Sequence, residues 1–290
     1  MLCFPNCKIN LGLYIVRRRE DGYHDIETVF YPLPAVHSAT AGVPLHDVLE
    51  IVAASPTLPS EAGYPAISLQ TSGLAISGNS ADNLVLKAYG LMKERYPDKI
   101  NGLSAYLHKN IPMGAGLGGG SADGAFMLRL LNDHCKLDLS LFELAELALQ
   151  LGSDCPFFIY NTPQFATGRG ERFTPVSLDL SAYSLQVICP KVHVSTAKAF
   201  AMIKPGPAAY DLRQLPQLPV TQWKEQISND FELPVFTNYP SLGGIKRQLY
   251  EQGSLYASMS GSGSAIYGLF EKGSKAVIKS DIGFKDFYIM

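Results

Sequence analysis

The chain has 290 residues, 47% of them hydrophobic and 17% charged, with a formal net charge of -2. That much apolar matter excludes wholesale disorder, and at a prior of roughly 150 residues per domain the length points to two domains or one large one. The densest basic cluster, Arg17-Arg18-Arg19, is followed at once by Glu20 and Asp21, which argues against nucleic acid as a partner. No stretch approaches the ~20 apolar residues of a membrane span, and the N-terminus lacks the order of charges of a signal peptide. Five cysteines at irregular spacings, with no C-x-x-C pair and no H-E-x-x-H, read as reduced thiols rather than disulfides or a zinc site. The expectation is a cytoplasmic protein acting on a small molecule, with no membrane and no nucleic-acid partner; monomer and homodimer both stay open.

Residues 8–16 alternate, with Ile9, Leu11, Leu13 and Ile15 on one face, so Lys8 and Asn10 share the other face of a strand. Glu20-Asp21-Gly22 is a turn signal, and an extended run over 26–33 completes a hairpin. Short strands are expected at 48–52 and 67–70, with a long divergent loop over 37–66. A helix follows over 82–96, capped by Ser80 or Asp82, and a strand over 103–109. Helices are expected at 121–132 and, behind the capping box Ser140-x-x-Glu143, up to Gly152. Phe157–Tyr160 reads as a strand. Beyond it come a strand at 183–189, a short helix at 195–203, a proline-rich loop at 204–220, helices at 223–236 and 240–252, and strands at 255–259 and 265–270. The tail 271–290 shows no clear final helix. Two mixed parts divided near residue 160 make this an α+β chain.

The strongest local signal is Pro112-Met113-Gly114-Ala115-Gly116-Leu117-Gly118-Gly119-Gly120-Ser121. Five glycines in seven positions between a strand and a helix expose backbone N–H groups beside a helix N-terminus, an arrangement suited to phosphate. The P-loop pattern fails, because Gly120 stands where its lysine belongs. Gly114, Gly116 and Gly119 satisfy G-x-G-x-x-G, with Asp138 near the distance of a ribose-binding acid. That NAD-type dehydrogenase reading requires a strand over 133–138, and the polar DHCKLD run does not suit one. Phosphoryl transfer also needs a cation and a group to orient the attacking hydroxyl. Lys8 and Asp154 are the candidates. Alone, Lys8 also reads as a strand lysine with its head in water, and Asp154 as a helix-end residue satisfying backbone N–H groups.

Several segments, taken in order, resemble the GHMP kinases (galacto-, homoserine, mevalonate and phosphomevalonate kinases). They are Pro5-Asn6-Cys7-Lys8-Ile9-Asn10-Leu11, Asp21-Gly22-Tyr23-His24, the glycine loop, and Leu151-Gly152-Ser153-Asp154-Cys155-Pro156-Phe157. Val194-Ser195-Thr196, Asn229-Asp230 and Ser260-Gly261-Ser262-Gly263 continue the match to about residue 270. The first two point to the branch whose acceptor is a cytidine diphosphate sugar alcohol on the non-mevalonate isoprenoid route. The resemblance implies a ribosomal protein S5 domain 2-like N-terminal domain (1–160, ATP-binding) and a ferredoxin-like C-terminal domain (161–290, substrate). It implies ATP and Mg²⁺, Lys8 and Asp154 as catalytic residues, and Asn10, Tyr23, His24, Thr196 and Phe200 on the substrate. It further implies Asn83, Lys87, Lys109 and residues 112–121 on the nucleotide, with Ser121 the side chain that would reach Mg²⁺. Without it, Tyr23 and His24 are ordinary hairpin residues, Gly261 and Gly263 a tight turn, and Phe200 core. Other small-alcohol kinases and a non-catalytic nucleotide binder are the remaining readings; the latter would predict loss of Lys8 or Asp154, and both are present. Asn6-Cys7 replaces the family's small residues before Lys8, which could shift the strand entry.

Overall fold

The computed structural model describes residues 1–35, 45–53, 67–76 and 78–289; most of the loop expected over 37–66 lies outside them. In chain order the elements are β1 Leu2–Cys3, β2 Lys8–Arg18, β3 His24–Pro32, β4 Val48–Ala53, β5 Ile67–Gly73, α1 Leu84–Arg95, β6 Leu103–Lys109 and α2 Gly119–Cys135. They continue with α3 Leu141–Leu151, α4 Cys155–Tyr160, β7 Gln164–Thr167, β8 Arg172–Pro175, β9 Tyr183–Pro190 and α5 Thr196–Ala201. The last are α6 Trp223–Gln226, α7 Glu232–Asn238, α8 Pro240–Glu251, β10 Tyr256–Met259, β11 Ile266–Glu271 and β12 Phe284–Ile289.

Three four-stranded sheets result, ordered β1-β4-β6-β5, β2-β3-β7-β8 and β10-β11-β9-β12. The alternation in β2 has its expected consequence: Ile9, Leu11 and Ile15 are fully buried, and β2 pairs antiparallel with β3 from Lys8↔Pro32 to Arg18↔His24. The Asn6-Cys7 departure does not displace that entry. Asn6 donates its amide to the Leu33 carbonyl at 3.0 Å, and the Lys8 N–H reaches the Leu117 carbonyl at 3.0 Å. β7 and β8, which have no clear period, extend the hairpin sheet. The third sheet is antiparallel throughout, in the strand order of a ferredoxin-like fold. α8 supplies its first crossover, while residues 272–283, before β12, form no helix.

The capping box is as expected: Ser140 Oγ accepts from the Glu143 N–H, and Glu143 reaches back to Ser140. Three expectations need correction. Phe157–Tyr160 is helical: Pro156 sits in the first turn and Asn161 closes the helix in a left-handed conformation. Phe157, Phe158 and Ile159 are buried on every side, so a short apolar run carried no period to separate helix from strand. The cap of α1 is Asn83, whose Oδ1 accepts the Val85 N–H at 2.9 Å; residues 80–82 form a 3-10 turn before it. The helix expected over 223–236 is broken at Asn229-Asp230, whose side chains bond elsewhere: Asp230 Oδ2 accepts the Ile15 N–H at 2.7 Å. Residues 271–289 form no helix, as expected, and end in β12, which completes the sheet edge beside β9.

Candidate active site

Period-two geometry places Lys8 and Asn10 side by side. Lys8 Nζ donates to Asn10 Oδ1 at 2.5 Å, lies 4.7 Å from the centre of the Phe30 ring, and stands 3.8 Å from Asp154 Oδ2. Asn10 is fixed in turn by its amide donating to Thr28 Oγ1 at 3.0 Å. The two charges differ in environment: the Lys8 side chain is 4% exposed and that of Asp154 36%. Burial pulls the Lys8 ammonium below the ordinary lysine value, and the nearby Asp154 opposes that shift. Asp154 stands at the start of α4, with its carboxylate beside Gly170.

The glycine run joins β6 to the 17-residue α2. Gly114, Gly116 and Gly118 take φ of +66°, +78° and +73°, which side-chain-bearing residues rarely adopt. Space matters as well. A Cβ at Gly116 would lie 2.0 Å from the Ser260 carbonyl oxygen, and one at Gly118 would lie 2.9 Å from the Phe158 ring. A Cβ at Gly120, by contrast, meets nothing within 4 Å, so the first turn of α2 opens into a cavity. Its N–H groups lack intrahelical acceptors, and the helix's positive end faces the same way. Pro112, Met113, Gly114, Ala115, Gly116, Gly118, Gly119, Gly120 and Ser121 line that cavity, as do Asn83 and Asp154. Leu117 instead points into the core.

Two of the expected nucleotide residues are engaged elsewhere. Lys87 pairs with Asp82 at 2.9 Å and does not line the cavity. Lys109 forms part of the cavity wall, but its side chain is 1% exposed and its ammonium is matched by both Asp47 and Asp123. Burial works against the Lys109 charge, yet Asp123 and Asp47 together outweigh it and hold the ammonium above its ordinary value. Burial in turn pushes the Asp123 carboxyl well above the usual carboxylate range.

A second glycine turn closes the site from the other sheet. Ser260 Oγ donates to the Gly116 carbonyl at 2.8 Å, and the Ala265 N–H donates to the Ala115 carbonyl at 3.0 Å. Asn229 donates its amide to the carbonyls of Met259 and Gly261, both at 2.8 Å. Thr196 Oγ1 and Ser262 Oγ lie 2.9 Å apart. The result is a cavity of about 280 Å³ lined by Lys8, Asn10, Asp154, Thr196, Phe200 and the Gly261–Gly263 turn. A neighbouring cavity holds Tyr23 and His24. There the His24 and Phe200 rings stack at 4.9 Å and 18°, and Tyr23, 57% exposed, carries the Arg169 guanidinium 5.1 Å from its ring centre. Sequence reasoning missed Arg169, Asp47 and Asp123 as site residues; the only mark of the first is a glycine on each side, Gly168 and Gly170.

This combination of a glycine cradle, a buried lysine beside a half-exposed aspartate, and a ferredoxin-like second half defines a kinase-like class, and the chain belongs to the GHMP kinase family. The model of the GHMP kinases N terminal domain matches residues 83–162, and that of the GHMP kinases C terminal domain matches 218–285. Within the family it is similar to the 4-diphosphocytidyl-2-C-methyl-D-erythritol kinase of Parabacteroides distasonis, with 50% identity over 94% of this chain and 92% of the relative. The enzyme of that name from Bacteroides thetaiotaomicron is 49% identical over 93% and 92%. A crystal structure of 4-(cytidine 5'-diphospho)-2C-methyl-D-erythritol kinase superposes with a TM-score of 0.75 at 29% identity, covering 93% of this chain and 90% of that one. The mevalonate kinase of Methanococcus jannaschii shares the fold, with a TM-score of 0.65 at 12% identity. The dehydrogenase alternative fails on structure: residues 133–138 are the end of α2 and the turn behind it, with Lys136 left-handed, and form no strand.

Proposed function

We propose that this protein transfers the terminal phosphoryl group of ATP to the 2-hydroxyl of 4-diphosphocytidyl-2-C-methyl-D-erythritol, in the cytoplasm, on the non-mevalonate route to isopentenyl diphosphate. One observation carries the reading: Asp154 lines both the glycine-walled cavity and the cavity of Lys8 and Asn10, so it stands where donor and acceptor meet. The donor cavity fits a polyphosphate, because its wall is glycine backbone at the N-terminus of α2, packed so closely on Ser260 and Phe158 that a Cβ at Gly116 or Gly118 would displace it. It also fits Mg²⁺, which binds largely through substrate phosphates and water; the Ser121 hydroxyl is the side chain that would reach it. Among the described residues no cluster of three ligating side chains exists, and the phosphates would complete the shell. Bound Mg-ATP supplies the phosphoryl group and neutralises charge on the phosphates.

The chain's own residues do the rest. The backbone of the glycine run holds the phosphates, Asn10 and Thr196 position the acceptor, and the His24–Phe200 stack with Tyr23 receives the cytosine. Asp154 orients the attacking hydroxyl and accepts its proton. A carboxylate suffices for this when the transition state is loose and the proton leaves late. Lys8 pairs with Asp154 and offsets charge on the transferring group.

Holding Lys8 in this position costs stability. Its proton is bound less tightly in the folded chain than in the unfolded one, so between its folded value and 10.5 the unfolded chain holds more protons and stability rises with pH. Asp154 is open enough to recover water when the lysine is removed. Lys8→Met should therefore leave unfolding free energy within about 1 kcal/mol of the parent, or raise it, while kcat drops by roughly 10²–10³-fold. Urea titration and initial rates check the two halves separately.

The reading itself is tested by ADP release from Mg-ATP with the diphosphocytidyl acceptor, alongside mevalonate, homoserine and galactose. Turnover with the cytidine acceptor alone is expected. Turnover with another alcohol would keep the kinase and discard the acceptor; silence on all four from folded, ATP-binding protein would leave a non-catalytic nucleotide binder.

A further inference from the structure

Arg169 sits in the turn between β7 and β8, between two left-handed glycines, Gly168 at φ +70° and Gly170 at φ +102°. The turn is tied down on both sides. The Gly168 carbonyl accepts the Ile26 N–H at 2.7 Å, and the Arg169 N–H donates to Glu171 Oε2 at 2.5 Å. Gly170 brings this backbone against Asp154, since a Cβ there would lie 3.7 Å from Asp154 Oδ1. The backbone of the turn is thus held beside the reacting carboxylate, and the guanidinium carbon lies 5.1 Å from the centre of the Tyr23 ring. Among the described residues it forms no ion pair within 4.0 Å, unlike Arg17, Arg19 and Arg213, which are each committed to an aspartate.

Its place between the two cavities is distinctive. The reacting cavity is lined by the cationic or imidazole side chains Lys8, Arg169 and His193 beside Asp154, and the cavity of Tyr23 and His24 by Arg18, His24, Arg169 and Lys204. Among the described residues Arg169 is the one charged side chain common to both. An acceptor with its base in the second cavity and its hydroxyl at Asp154 must carry its linking diphosphate across that boundary. A planar guanidinium in no ion pair within 4.0 Å among the described residues, and braced on an aromatic ring, suits two phosphoryl groups through paired N–H donors.

We propose that Arg169 binds the diphosphate of the acceptor and sets the preference for a nucleoside diphosphate ester over the same alcohol without it. This rests on the acceptor proposed above. Binding of cytidine, CMP and CDP to Arg169→Gln and Arg169→Lys is measured by calorimetry beside the parent, with kcat and KM for the full acceptor. The expected result is that the glutamine variant loses roughly tenfold to hundredfold in CDP affinity, with cytidine and ATP affinities and melting temperature unchanged. KM for the acceptor should rise by a similar factor, kcat should change less, and the lysine variant should recover part of the loss. If CDP and cytidine weaken equally, the residue only props the Tyr23 ring and the assignment is overturned; unchanged CDP binding overturns it too. If the parent itself binds neither cytidine nor CDP, the acceptor reading falls and this inference falls with it.

Discussion

Asp154→Asn should lower kcat by roughly 10²–10⁴-fold, the range for loss of an acid/base group, with little change in the affinity for ATP. The reasoning is geometric. The amide keeps the size of the carboxylate and can stay at the start of α4, whose apolar residues Cys155, Phe157, Phe158 and Ile159 hold the helix in place. It cannot accept the hydroxyl's proton, and it no longer answers the ammonium 3.8 Å away. The glycine cradle does not depend on residue 154, because its shape is set by Gly114, Gly116 and Gly118 and by Ser260 behind them. Stability should change by less than about 1 kcal/mol, since a pair with one partner this exposed is largely screened. Rapid-quench turnover and nucleotide titration on the same preparation check both parts. A variant within a few-fold of the parent would remove Asp154 from the chemistry.

The largest expected effect on folding lies one layer behind the site. Lys109→Met should cost about 3–5 kcal/mol, the range for breaking a buried ion pair by removing one partner. Asp47 is fully buried and accepts the N–H groups of Asn110 and Ile111 at 2.6 and 2.9 Å, so it keeps some of its partners. Among the described residues Asp123 Oδ1 has no hydrogen-bond partner even with the lysine present, so its carboxyl is stranded when the lysine goes. A second change, Asp123→Asn, removes that charge and should restore part of the loss, giving a coupling term well outside additivity. Both positions frame the strand-to-helix junction that carries the glycine run, so the single variant should also weaken ATP binding. Urea midpoints of the two single variants and the double variant measure the coupling, and simple additivity would show that the three charges do not act as a unit.

What could be read from the sequence follows from what is local. Lys8 and Asn10 share a strand face by period two, the glycines lie in one run, and the capping box Ser140-x-x-Glu143 spans only four positions. Each of these is a short-range pattern, and each stands where expected. The Lys109 partners are 62 and 14 residues away, and nothing in a list of residues reports that a lysine at a strand end has two buried carboxylates waiting. Its place on the nucleotide is implied by the resemblance alone, which says nothing of these partners. Asn83 illustrates a different limit: a residue at the cavity edge is also the cap of α1, and the backbone uses its side-chain oxygen. Arg169 was invisible because a turn has no period, and because its significance comes from joining two cavities built by distant segments. Phe157–Tyr160 failed through propensity: aromatic and β-branched residues suggest a strand, and complete burial in a helix overrode them.

The most direct test of the central claim is to follow Mg-ATP and the diphosphocytidyl acceptor by phosphorus NMR with the purified protein. The account predicts one new monophosphate ester resonance at the 2-position of the methylerythritol unit, growing in equal amount with ADP and absent with Asp154→Asn over the same interval. Appearance of inorganic phosphate in place of the ester, or an ester on a different hydroxyl, would contradict it.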